Sequence, residues 1–179
     1  YKEWKFSFGS CREHLPILQP GRRLQLYTYN HNQLLEIRVP LRRSATFGQC
    51  YFSGGSSNDL KRADFKNCII YGSNPNELNL VKEENSAFNF YFENCLLKFK
   101  NKSENELYNF ENTAHYDNIL LNLDPEFTSP IQNDFMIREN SSAFGAGNLA
   151  TAQLVPLDIL GADRTKNPSL GAYEVIFTE

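Results

Sequence analysis

Apolar residues along this chain recur at every second position in several short runs, the period of a β-strand with one buried face. Trp4, Phe6 and Phe8 alternate with Lys5 and Ser7, predicting a strand over residues 1–10. Glu77-Leu78-Asn79-Leu80-Val81 reads as a strand with Leu78 and Leu80 inward, and the alternation of Phe88, Phe90 and Phe92 predicts all three in the core. Turn-forming clusters separate these runs: Gly54-Gly55-Ser56-Ser57-Asn58, Gly72-Ser73-Asn74-Pro75-Asn76 and the polar stretch from Lys82 to Ser86. Lys100 to Thr113 is charged and Asn-rich, a loop excursion with at most a short helical turn. Residues 124–150 read as loops around a short strand at Phe135-Met136-Ile137.

Within this pattern one phrase occurs twice. Phe65-Lys66-Asn67-Cys68-Ile69-Ile70 and Phe92-Glu93-Asn94-Cys95-Leu96-Leu97 share the order Phe, charged, Asn, Cys, aliphatic, aliphatic, 27 positions apart. A fixed period in the twenties is the mark of a solenoid, whose units bury their cores only against one another. The expected fold is therefore all-β, a right-handed parallel β-helix with the C-terminal coils and a capping segment. Stacking the two copies sets Phe65 on Phe92 and Cys68 on Cys95 inside, and Lys66 over Glu93 outside, an exposed pair worth roughly 0–1 kcal/mol. Asn67 and Asn94 fall at corners, where Asn tolerates the left-handed backbone and can form a hydrogen-bonded ladder with the Asn one coil away. Tyr116-Asp117-Asn118-Ile119-Leu120 is a decayed third copy that adds Asn118 to the ladder. Ile69 and Leu96 point outward here, so something must cover them, and the C-terminal segment is the expected cover.

Charge is distributed unevenly along the chain. The 179 residues carry a net charge of −3, but between Arg12 and Arg43 lie six arginines, no lysine and only two acids. That basic stretch, interrupted by Pro16, Pro20 and Pro40, predicts an irregular insertion over 11–50 and divides the chain into 1–60, coils over 61–140 and a cap over 141–179. Tyr27, Tyr29 and His31 within it invite a nucleic-acid reading, which the acidic remainder and the lack of any binding motif argue against. No apolar run approaches the ~20 residues of a membrane-spanning helix, and no signal peptide opens the chain, which reads as the tail of a longer protein. Cys11, Cys50, Cys68 and Cys95 form no CxxC pattern, and none has a His at ligand spacing. No metal site is therefore expected; Cys68 and Cys95 read as buried free thiols packed as small hydrophobes, with a bridge between stacked neighbours as the alternative.

The repeat, the later Ser142-Ala143-Phe144-Gly145-Ala146-Gly147-Asn148, and the ending Asp158-Ile159-Leu160-Gly161-Ala162-Asp163-Arg164 … Pro168-Ser169-Leu170-Gly171-Ala172-Tyr173-Glu174 resemble one family. It is the C-terminal part of secreted, pectate-lyase-like right-handed β-helix proteins of Bacteroides-type bacteria, the choice-of-anchor Q proteins. The resemblance spans roughly residues 60–177 and implies an extracellular or cell-surface protein, in some members involved with polysaccharides. Physically the ending reads as a structural cap. Gly161 and Gly171 allow sharp turns, Arg164 can fork between Asp158 and Glu174, and Tyr173 can pack its ring while satisfying its hydroxyl.

No catalytic motif stands out, so the expected function is a non-catalytic extracellular β-helix module without cofactor. Polysaccharide is its partner class, with Tyr71 and Tyr91 as candidate carbohydrate contacts. The alternative is a fragment of a calcium-dependent polysaccharide lyase or a glycoside hydrolase whose site lies largely outside this chain. A lectin-like sandwich is the third possibility, and antiparallel strand pairing would be its sign.

Overall fold

The computed structural model describes residues 59–175 except 83 and 133, together with the backbones of three earlier strands. The strand expected over residues 1–10, the Gly54–Asn58 loop, Cys11 and Cys50 lie outside the described residues. The fold is all-β: among the described residues ten strands accompany one six-residue α-helix and two 3₁₀ turns. They fall into two compact units, one containing Gly72–Phe90 and the residues up to Ala63, the other Asp64–Tyr71 and the chain from Tyr91 onward.

The first unit holds β1 (Leu24–Tyr29), β2 (Leu34–Val39), β3 (Ala45–Gln49) and β6 (Leu78–Val81), hydrogen-bonded in that order. β1, β2 and β3 form an antiparallel meander, and β3 runs parallel to β6 with Phe47 opposite Leu80. Three strands thus stand where an irregular insertion was expected. Their segments are rich in Leu, Tyr, Thr and Ile, residues that suit a pleated surface, and the arginines only masked that preference. Leu78 and Leu80 are buried while Asn79 and Val81 are exposed, as the alternation requires. At the preceding turn Glu77 is buried, accepting hydrogen bonds from the backbone N–H and the amide of Asn74. A side chain at Gly72 would collide with that carboxylate, its Cβ lying 2.5 Å from Oε1.

The second unit is organised around β7 (Phe88–Leu97), the strand that also carries Phe88 and Phe90 of the first. β4 (Leu60–Lys66) and β5 (Ile69–Ile70) lie beside β7 in one sheet, and β8 (Tyr116–Leu121) also pairs with it. β5 and β8 both run parallel to β7, where hairpins of a sandwich would have given antiparallel neighbours. Ile69 lies opposite Leu96, and Phe92 opposite Tyr116. The spacings are 27 and 24 residues, those of the repeated phrase and its third copy. Asn67, Asn94 and Asn118 all adopt left-handed backbone, with φ of 53°, 48° and 52°.

Inside, the copies stack ring on ring. Phe65 lies 4.6 Å from Phe92, and Phe92 lies 5.7 Å from Tyr116, both pairs nearly parallel. Phe110 continues the column at 4.8 Å from Tyr116, followed by Phe99 and Tyr108. The Asn-rich excursion therefore returns aromatic residues to the end of the column. It holds a 3₁₀ turn at Glu106–Tyr108, whose Leu107 carbonyl accepts from the Tyr116 hydroxyl. Asn122 fixes the start of the excursion, its amide both accepting from the Phe99 N–H and donating to the Phe99 carbonyl.

On the opposite face Leu96 is fully buried against Ile137, Ala143 and Leu170, with Ile69, Leu120, Phe127 and Val175 packed around them. The C-terminal segment is thus the cover that the outward apolar residues called for. It includes the hairpin β9 (Phe127–Ser129) and β10 (Asp134–Ile137), and the helix α1 (Leu149–Leu154) capped by Asn148.

Because Phe92 is fully buried in the column, Phe92→Ala should cost about 3–5 kcal/mol of stability in urea unfolding. Tyr91→Ala, one residue earlier on the other face, should stay within about 0.5 kcal/mol. Equal losses at the two positions would contradict the facing of β7.

Candidate functional site

The corner asparagines are occupied. Asn67 exchanges two hydrogen bonds with Asn148, its Oδ1 accepting from the Asn148 N–H at 2.7 Å and its Nδ2 donating to the Asn148 carbonyl at 3.2 Å. Asn94 donates through Nδ2 to the Ala146 carbonyl at 2.9 Å. Each amide therefore closes on the 146–148 segment, where the sequence pattern suggested the equivalent Asn of the next strand. Backbone bonds tighten the same seam: Gly171 N–H donates to the Asn67 carbonyl and Gly147 N–H to the Pro168 carbonyl. Asn118 stands exposed at its left-handed corner.

Asn148 is the residue that sequence reasoning missed. Besides Asn67 it donates through Nδ2 to Glu93 Oε1 at 2.9 Å and caps α1 by accepting from the Thr151 N–H. In the sequence it stands at the end of the Ser142–Asn148 motif and three residues before Thr151, a capping spacing that gives no hint of its bonds to Asn67 and Glu93.

The ending Asp158 … Glu174 forms a closed network, with one change from the expected fork. Arg164 donates through Nε to Glu174 Oε1 at 3.0 Å and through Nη2 to the Gly171 carbonyl at 3.0 Å, not to Asp158. Asp158 is instead filled by backbone donors: Leu160 and Ala162 N–H on Oδ1, and Glu174 N–H on Oδ2. Glu174 also accepts from the Ser169 N–H through both oxygens. Asp158, Ser169 and Glu174 are buried. Gly161 and Gly171 take φ of 89° and 90°, and Tyr173 is half-buried. Burial alone would raise the pKa of Asp158, but the three N–H donors and nearby Arg164 together hold it below the usual carboxylate value. The groups of this network are engaged with one another, an arrangement that fixes backbone.

The two candidate tyrosines differ. Tyr71 is half-buried beside the Leu96 cluster, and the Lys98 ammonium sits over its ring at 4.8 Å from the centroid, so one face is taken. Tyr91 lies between buried Phe90 and Phe92 on β7 and therefore faces the other way, with Glu93 on the same side. Lys66 pairs with Glu93 there, and the bond raises the lysine pKa. Asp117 is opposite Glu93 in register, and Asp64 is within electrostatic range of Tyr91. Desolvation, then the charges of Asp117 and Glu93, push the Tyr91 hydroxyl pKa up. The result is an outward tyrosine set among Lys66, Glu93 and Asp117.

Among the described residues no group of three or more His, Cys, Asp or Glu is arranged to hold a metal ion, and no helix is long and apolar enough to cross a membrane. Comparison with protein-family models, curated proteins and solved structures found no match.

Asp158 ionises more readily in the fold than in the unfolded chain. Its contribution is therefore present above the unfolded pKa of about 3.9 and is lost as pH falls through the lower folded value. Asp158→Asn, which turns an amide toward the Glu174 N–H or loses an acceptor, should cost about 1–3 kcal/mol at pH 7. Melting curves between pH 7 and pH 2 should show the gap to the parent closing at the acid end. A gap that stays constant would remove the carboxylate from this role.

Proposed function

We propose that this chain is the C-terminal portion of a right-handed parallel β-helix, a non-catalytic extracellular module that contacts polysaccharide through the face around Tyr91. The observation that carries the reading is the position of Tyr91, outward on a strand whose neighbours pair parallel at spacings of 27 and 24 residues. A rigid array of parallel strands holds outward side chains at about 4.8 Å intervals, a spacing suited to an extended polymer. A tyrosine ring offers a flat apolar face to a sugar, and flanking charged and amide groups offer hydrogen bonds to its hydroxyls. The resemblance of the repeat and the ending to secreted choice-of-anchor Q β-helix proteins supports the same assignment, including the extracellular location.

The in-register pair Glu93 and Asp117 favours a second reading, glycoside hydrolysis, since such enzymes work with a pair of neighbouring carboxylates. Against it, both Glu93 oxygens are engaged, Oε1 by the Asn148 amide and Oε2 by Lys66.

Tyr91→Ala should weaken glycan binding about tenfold, or ~1.4 kcal/mol, in an array followed by titration of the best ligand. Tyr71→Phe should leave it unchanged. Reducing ends released from a neutral polysaccharide and abolished by Glu93→Gln would favour the hydrolase. Unsaturated-uronate absorbance that vanishes with a chelator would favour a lyase, and binding indifferent to Tyr91 would overturn the proposed face.

A further inference from the structure

Cys68 and Cys95 occupy the same place in successive copies of the repeat, and the backbone sets them side by side. Ile69 and Leu96, the residues that follow them, are paired in register, and the Leu96 N–H donates to the Cys68 carbonyl at 2.9 Å. Neighbouring strands lie about 4.8 Å apart, inside the roughly 4.4–6.8 Å Cα separation that a disulfide spans. Both thiols are free. Cys68 Sγ donates to the Lys66 carbonyl at 3.2 Å, while Cys95 Sγ reaches the Phe65 carbonyl on the neighbouring segment at 3.4 Å and the Glu93 carbonyl at 3.3 Å. The Cys95 sulfur thus already leans toward the strand that leads into Cys68.

We propose that Cys68 and Cys95 are a redox pair, closed to a disulfide by a low-molecular-weight disulfide such as oxidised glutathione. The two positions divide the work. By residue Cys68 is half-buried and Cys95 fully buried, which makes Cys68 the more accessible of the two. The neighbouring Cys95 thiol lowers the pKa of Cys68, while Cys68 and burial raise that of Cys95. The Cys68 thiolate attacks one glutathione sulfur, forming a mixed disulfide and expelling glutathione thiolate, which takes up the proton Cys68 gave to solvent. Cys95 then attacks the Cys68 sulfur, and its proton leaves with the second glutathione. In sum two protein thiols lose two hydrogens to form one S–S bond, and one glutathione disulfide becomes two thiols. The new bond ties together the two copies of the repeat.

The test is oxidation of the folded full-length chain with glutathione disulfide, followed by thiol blocking and peptide mapping. One cross-linked species joining the Cys68 and Cys95 peptides is expected, lighter by two hydrogens than the free pair and split by reductant. The melting midpoint should rise by roughly 5 °C relative to the reduced protein, because the bond closes a loop in the unfolded chain. In Cys95→Ser, Cys68 should stop at the glutathione adduct. If that variant folds poorly, the parent under limiting oxidant should show the same adduct as a transient that decays into the cross-link. Cys68 and Cys95 both recovered as free thiols, both carrying glutathione, or either joined to Cys11 or Cys50, would overturn the pairing.

Discussion

Three asparagines held in left-handed backbone are the constraint on which the second unit depends. For most residues that conformation costs roughly 1–2 kcal/mol, and Asn reduces the penalty by hydrogen-bonding locally. At Asn67 and Asn94 the side chain does more, because its amide is the hook on which residues 146–148 hang. A corner of this kind turns the chain between Phe65 and Ile69, and again between Phe92 and Leu96. The residues before the corner then face the aromatic column, and those after it face the C-terminal cover. Bend and attachment stabilise each other, since the segment satisfies the amides that the bend presents.

The aromatic column and the cover answer the same problem on two faces. A parallel pair with one copy per strand leaves the last ring exposed. Here Phe110, Phe99 and Tyr108 come back over Tyr116 to bury it. On the far side Leu96 and Ile69 would meet water, and Ile137, Ala143 and Leu170 cover them. The network of Asp158, Arg164 and Glu174 then fixes the chain on either side of Leu170, and the Arg164 bond to the Gly171 carbonyl joins it to the residue that donates to Asn67. Tyr91 lies on a side of β7 that neither packing task requires.

Much of this was legible in the residues because it is local or periodic. The alternation of Phe88, Phe90 and Phe92 fixes which side of β7 is buried, and the matched phrases fix the register of β5 against it. Apolar Leu96 at an outward position even implies a cover before the cover is known. What stayed hidden is long-range and polar. Asn67 and Asn148 are 81 residues apart, and an Asn can bond to almost any backbone group, so its partner leaves no trace in the pattern. Arg164 had two carboxylates within reach by spacing alone; only the fold decides that backbone N–H groups fill Asp158 first. The strands at 24–49 were obscured because arginine count and proline breaks suggested irregularity more loudly than short Leu and Tyr alternations suggested pairing. Spacing alone does not separate Tyr71 from Tyr91; the Lys98 ammonium over the Tyr71 ring does.

Everything described here requires the two copies of the repeated phrase to lie side by side, parallel and in register. Scalar couplings across hydrogen bonds in an isotopically labelled sample report it directly. Couplings are expected from the Leu96 N–H to the Cys68 carbonyl and from the Lys98 N–H to the Ile70 carbonyl, bonds of 2.9 and 3.0 Å. Couplings that instead pair these residues antiparallel, or link neither amide to residues 68–70, would contradict it.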